Sequence, residues 1–203
     1  MNNTFSSNEC LGVVLAGGLS SRMGQDKAKL LRNSTDMLNF SRQLLINSGI
    51  NNILVSGDQY DIPDKIKMSG PVGGIHSILS SFPQVKSLLI LPVDLPFMTT
   101  KMLTDLRIKG ELSQKATYFD GHNIPLYLPN NTYVELFLSK AFSNNSMVKQ
   151  GQLSEKKMKK NGPSIKALLQ HVPHQAIKCG DSKALFNTNT PEQWQQAEKQ
   201  FTF

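Results

Sequence analysis

Hydrophobic positions along the chain form short unbroken runs that alternate with stretches of helical spacing. Leu11 to Ala16 (LGVVLA) is a β-rich run ending at Gly17 and Gly18, the pattern of a buried strand broken by a flexible turn. Met37, Phe40, Leu44 and Leu45 then recur at i, i+3, i+7 and i+8, which predicts a helix with Ser34 or Thr35 as N-cap and Gly49 just past its end. Ile53 to Ser56 reads as a strand, and Ile75, Ile78, Leu79 and Phe82 share one face of a helix starting at about Gly74. Leu88 to Leu91 is wholly apolar, as expected of a parallel strand covered on both faces, and runs into Pro92, Val93 and Asp94. A further helix begins near Thr99. This alternation predicts an α/β fold: a doubly wound, mostly parallel sheet with helices on both faces. In the second half, Ala116 to Phe119 and Ile124 to Leu128 read as strands, and Tyr133 to Phe142 as a helix burying Val134, Phe137, Leu138 and Ala141. Ser143 to Gly162 is polar and lysine-rich and reads as an exposed loop or frayed helix. Thr190, Pro191 and Gln193 spell a capping box with proline at the first helical position, opening a last helix through Trp194 and Ala197.

Composition narrows the class. With 203 residues, 39% apolar and 18% charged, the chain fits one domain over 1–203. No apolar run approaches the roughly 20 residues of a membrane span, and Met1 to Cys10 is too polar for a signal peptide, so a cytoplasmic protein without membrane contact is expected. Cys10 and Cys179 lack the spacing of a disulfide framework or a zinc site. The net charge of +7 suits an anionic partner. Nucleic acid is set aside, since neither aromatic-basic interleaving nor a helix-turn-helix pattern is present.

The densest chemistry lies in Leu15 to Lys29, LAGGLSSRMGQDKAK. Gly17 and Gly18 let backbone N–H groups approach phosphate oxygens, while Arg22 and Lys27 bring positive charge beside them, which predicts a triphosphate cradle. It is neither a Walker A loop nor GxGxxG. Asp94 follows the buried strand at its carboxyl end, where open parallel sheets bind ligands, and is placed either to hold Mg²⁺ or to serve the turn into the next helix. GPVGG at Gly70 to Gly74 offers a helix N-terminus to a base or phosphate, or else provides close helix-to-sheet packing. His76 is given no role. The lysines at 149, 156, 157, 159, 160 and 166 form either a solvated face or a steering surface for an anion.

These motifs, with Pro125 and FNTNTPE at Phe186 to Glu192, together resemble the molybdenum cofactor guanylyltransferases, nucleotidyltransferases with a Rossmann-like sheet. The resemblance covers most of the chain. It implies a GTP- and Mg²⁺-binding half over 1–107 and an acceptor half over 108–203. The implied catalytic residues are Arg22, Lys27 and Asp94, with Asp94 also the metal ligand. Leu15, Ala16, Gly17, Gly18, Lys27, Ser56, Gly73, Gly74 and Asp94 would bind the nucleotide, and Asn187 and Asn189 the acceptor. The implied reaction transfers GMP from GTP to the terminal phosphate of molybdopterin, or Mo-molybdopterin, with other proteins of molybdenum cofactor synthesis as possible partners. The alternatives are a transferase using CTP or a sugar-phosphate acceptor, and a non-catalytic GTP-binding protein. The sequence departs from the family between Ile62 and Gly70, a shortened loop in which Asp64 is a poor substitute for a nucleotide-contacting Asp of relatives. An arginine that relatives often carry near Gly162 to Leu169 is absent too.

Overall fold

Strand β1 (Cys10–Leu15) is the hub of the sheet: every residue after Cys10 is buried, and its side chains alternate between two apolar layers. The structure, a computed structural model, describes residues 9–17, 26–143 and 162–201. Around β1 lie β4 (Ile53–Ser56), β5 (Ser87–Pro92), β6 (Ala116–Phe119), β7 (His122–Pro129) and β8 (His174–Ile177), in the order β4-β1-β5-β7-β6-β8. Only β7 runs against the others, being antiparallel to both β5 and β6. A small hairpin of β2 (Leu31–Arg32) and β3 (Thr35–Asp36) stands apart.

Leu11, Val13 and Leu15 pack toward helices α2 (Gly70–Ser81), α4 (Thr132–Ser143) and α5 (Ile165–Leu169). Val14 packs in the opposite layer with α1 (Met37–Asn47) and α3 (Thr100–Ser113). The fold is therefore the doubly wound α/β architecture expected, and β6, β7 and β8 from the second half complete the same sheet. No helix among the described residues is long and apolar enough to cross a membrane.

Three local expectations change. The N-cap of α1 is Asp36, the residue just before the first helical residue Met37, whose carboxylate accepts from the Asn39 N–H at 2.7 Å. Helix α2 begins at Gly70, four residues early, so GPVGG forms its first turn instead of a loop ahead of it. α5 and β8 have no counterpart in the sequence reading: five residues are too few for helical periodicity, and β8 is a half-exposed edge strand. The last helix, α6 (Pro191–Glu198), is closed by the expected capping box, with both reciprocal bonds between Thr190 and Gln193 present.

This topology creates the crevice. The chain leaves β1 for β4 on one side, then crosses to β5 on the other, and the carboxyl ends of all three strands stand level, Leu15 pairing with Ser56 and with Pro92. Such a reversal of winding opens a ligand-sized cleft at the strand ends.

Candidate active site

The segment after β1 is fixed by close backbone contact. Ala16 N–H and Gly17 N–H both donate to the Ser56 carbonyl, at 3.0 and 2.8 Å. A Cβ on Gly17 would lie 3.0 Å from the Gly57 Cα, so glycine is required by the approach of two main chains. This corrects the expectation that the Gly17 amide faces a phosphate: that donor is spent on the neighbouring strand. The carbonyls of Ala16 and Gly17 accept nothing among the described residues, and the Leu15 carbonyl accepts from Val93 N–H at 3.3 Å. Gly18 and Arg22 lie outside the described residues, as do the lysines at 149 and 156–160.

On the β4 side, Ser56 is buried under the start of α2, and a Cβ on Gly74 would lie 2.6 Å from its hydroxyl oxygen. Gly73 is packed tighter still against Ser69. Both glycines sit beyond the open end of the helix, where N–H groups bond to carbonyls one turn back. Among the described residues the Gly70 and Val72 N–H groups at this end have no partner, since Pro71 has no N–H and Ser69 makes no side-chain cap. Gly73 and Gly74 thus act here through their lack of a side chain. Asp64 is nearer the site than the short loop suggested: one carboxylate oxygen lies 3.6 Å from the position a Gly74 Cβ would take. Burial and the charge of Asp58 push its carboxyl above the ordinary value, and the Ser56 hydroxyl partly offsets them.

The β5 side gathers the charged groups. Lys27 Nζ lies 3.0 Å from Asp94 Oδ2 and donates to Asn189 Oδ1 at 2.7 Å, joining three motifs that are 67 and 162 residues apart in the chain. Asp94 Oδ1 is buried and has no hydrogen-bond donor among the described residues, and neither has Asn187 Oδ1. An anionic oxygen with no donor among the described residues, at a strand end beside a second oxygen held by a lysine, suits a hard divalent cation. The loop carrying the asparagines is tied to the same point, because Thr188 donates to the Asp94 carbonyl through its N–H at 3.0 Å and its hydroxyl at 3.2 Å.

Sequence reasoning missed the residues that hold these groups. Arg32 Nε donates to the Pro96 carbonyl at 2.7 Å and its guanidinium lies 4.3 Å over the Phe40 ring, which pins the turn after Asp94. Asp26 caps the 3₁₀ turn Lys27–Lys29 by accepting from Ala28 N–H at 3.0 Å, a signal legible in the sequence as an Asp before a short turn. Its other oxygen accepts from the Tyr60 hydroxyl at 2.8 Å, and nothing local in the sequence announces that bond. Burial, with the Asp26 bond and charge, pushes the Tyr60 phenol up to about 12. The folded state therefore favours the neutral phenol: the stabilisation is complete below the unfolded value of 10.0 and is lost as pH climbs from there toward about 12. Thermal melts of the wild type and Tyr60→Phe are expected to differ near neutral pH and to converge across that alkaline window. A gap independent of pH would show that the hydroxyl bond is not its source. His76 packs its ring on Phe142, with centroids 4.5 Å apart.

The chain is similar to known proteins in both sequence and fold. Residues 12–138 match the profile of the MobA-like NTP transferase domain. A molybdenum cofactor guanylyltransferase of Xanthomonas euvesicatoria is 31% identical over 90% of this chain and 91% of its own length. One from Rhizobium leguminosarum is 32% identical over 51% and 53%. Among solved structures, molybdopterin-guanine dinucleotide biosynthesis protein A of Archaeoglobus fulgidus superposes with a TM-score of 0.69 at 18% identity, covering 93% of this chain and 97% of that one. A Mycobacterium tuberculosis protein in complex with manganese has the same fold, with a TM-score of 0.57 at 15% identity over 95% and 99% of the two chains. By its sequence and its fold, the chain belongs to the MobA-like NTP transferase family.

Proposed function

We propose that the protein transfers GMP from GTP to the terminal phosphate of molybdopterin, or Mo-molybdopterin, releasing pyrophosphate and forming the guanine dinucleotide of the molybdenum cofactor. The observation that carries this reading is the Lys27 ammonium, which touches both Asp94 of the nucleotide side and Asn189 of the acceptor loop. The functions of the curated relatives support the same chemistry. In this reading residues 1–107 bind the nucleotide, residues 108–203 supply the acceptor side, and the work is done in the cytoplasm.

The acceptor's phosphate oxygen forms a bond to the α-phosphorus of GTP as the bond to the β-phosphate oxygen breaks, and pyrophosphate carries away the negative charge. A phosphomonoester has a second pKa of about 6, so the nucleophile is already anionic at neutral pH and no general base is needed. The obstacle is repulsion between two polyanions, and catalysis reduces to alignment and charge neutralisation. Lys27 and Arg22 supply fixed positive charge. Asp94 would hold Mg²⁺, whose bound charge neutralises phosphate oxygens. Among the described residues the Ala16 and Gly17 carbonyls accept no hydrogen bond and suit the N–H donors on the edge of guanine, and Asp64 stands beside Ser56 and Gly74 to meet the nucleoside. Pyrophosphate release from GTP and CTP, each with and without molybdopterin, tests the reading: release is expected with GTP only when the acceptor is present. Faster release with CTP, or none with either nucleotide, would overturn it.

A further inference from the structure

One ammonium group is engaged with two residues that the proposed reaction needs for other purposes. Lys27 Nζ is 3.0 Å from Asp94 Oδ2 and 2.7 Å from Asn189 Oδ1, and the Lys27 and Asp94 side chains are only 16% and 15% exposed. The remaining carboxylate oxygen of Asp94 is buried and receives no donor among the described residues. We propose that Lys27 is the resident counter-ion of the site: it holds Asp94 against a free divalent cation, and Asn189 against the acceptor, until nucleotide phosphates draw the ammonium away. This rests on the reading of Lys27 as a phosphate ligand and Asp94 as the metal-holding carboxylate.

The argument is electrostatic. A carboxylate already neutralised by an ammonium at 3.0 Å offers a second cation little net attraction, and the incoming charge faces the ammonium across a few ångströms of half-dry protein. The Asn189 bond does not hold the ammonium against a triphosphate, because the amide oxygen carries no net charge while the phosphate oxygens attract the ammonium by full Coulomb interaction. Once phosphate arrives, Lys27 turns toward it, and both Asp94 oxygens and the Asn189 amide oxygen become available. Only the side chain has to move. The main chain at Lys27 stays fixed by the Asp26 cap, and the Asn189 N–H stays on Gln193 Oε1 at 2.7 Å. Two consequences follow by linkage: metal affinity depends on nucleotide, and the acceptor is favoured as the second substrate.

The test is binding of Mn²⁺ alone to the full chain, followed by electron paramagnetic resonance, in the wild type, Lys27→Met and Asn189→Ala. Loss of the ammonium is expected to tighten binding of the free metal by about tenfold or more, although it removes a residue of the catalytic site. Asn189→Ala keeps the Lys27–Asp94 pair and is expected to bind Mn²⁺ alone no better than the wild type. Adding a non-hydrolysable GTP analogue is expected to tighten Mn²⁺ far more in the wild type than in Lys27→Met. Equal affinity for free Mn²⁺ in the wild type and Lys27→Met would overturn the proposal, as would tightening in Asn189→Ala equal to that in Lys27→Met. Lys27→Gln, which keeps a polar end for Asn189, replaces the Met variant if that chain lacks a melting transition. Failure of the analogue to tighten Mn²⁺ in any chain would count against the proposed reaction, while the arm with metal alone still decides the role of Lys27.

Discussion

Exchange of Asp94 for asparagine is expected to lower nucleotidyl transfer by about three orders of magnitude, roughly 4 kcal/mol of transition-state stabilisation, while the melting temperature moves by a few degrees at most. The two effects separate because Asp94 does two jobs with different atoms. Its main-chain carbonyl receives the Thr188 N–H and hydroxyl at 3.0 and 3.2 Å, and that anchor does not depend on the side chain. Its carboxylate carries one oxygen without a donor among the described residues and one held by Lys27. Asparagine has nearly the same volume and still offers an oxygen to the ammonium, so Lys27 is not left buried without a partner. The two side chains are only 16% and 15% exposed, yet asparagine keeps an oxygen for the ammonium and Asn189 Oδ1 still accepts from it, so the cost is about 1 kcal/mol, too little to unfold the domain. What disappears is the negative charge that a divalent cation requires. Pyrophosphate release at saturating GTP and Mg²⁺, measured beside a thermal melt, reads both effects at once. Turnover close to wild type would remove Asp94 from the chemistry, and a large drop in melting temperature would make it a structural residue.

The parts of this site that the sequence announced are those fixed by one element alone. Asp94 stands out because it directly follows an all-apolar strand, and the capping box at Thr190 because its reciprocal bonds are local. Parts that depend on a neighbouring element were misread or missed. The Gly17 amide read as a free phosphate donor, yet the Ser56 carbonyl takes it together with the Ala16 amide, which only the β1–β4 pairing reveals. GPVGG read as a loop because glycine is a poor helix former, but packing against Ser69 and Ser56 outweighs that penalty of about 1 kcal/mol per glycine and extends α2 back to Gly70. Asp64 seemed displaced by a short loop, but the loop folds it back beside Ser56 and Gly74. Arg32 and Tyr60 carry no local signature at all. They reach the site through hydrogen bonds to Pro96 and Asp26, 64 and 34 residues away.

Asn187 and Asn189 are expected to fail in different ways when replaced by alanine, and the contrast decides whether their loop binds the acceptor or only makes a turn. The loop is held by groups other than these two amides: Thr188 on the Asp94 carbonyl, and Gln193 Oε1 accepting from the Asn189 and Thr190 N–H groups at 2.7 and 3.1 Å. Truncating either side chain should therefore leave the backbone in place. Asn187 Oδ1 is buried without a donor among the described residues, a cost of about 1 kcal/mol or more in the free protein. A polar atom kept at that cost, beside the reacting groups, fits one whose donor arrives with the substrate, such as an N–H on a pterin ring edge. Asn187→Ala is accordingly expected to leave the melting temperature unchanged or slightly raised, to leave GTP affinity unchanged, and to raise the KM for molybdopterin by about tenfold to a hundredfold. Asn189→Ala is expected to disturb both substrates, because its amide oxygen also holds Lys27 at 2.7 Å. A fall in melting temperature with unchanged acceptor KM in Asn187→Ala would mean that the buried amide serves the turn. In that case the acceptor's ring would have to be recognised by another part of the crevice.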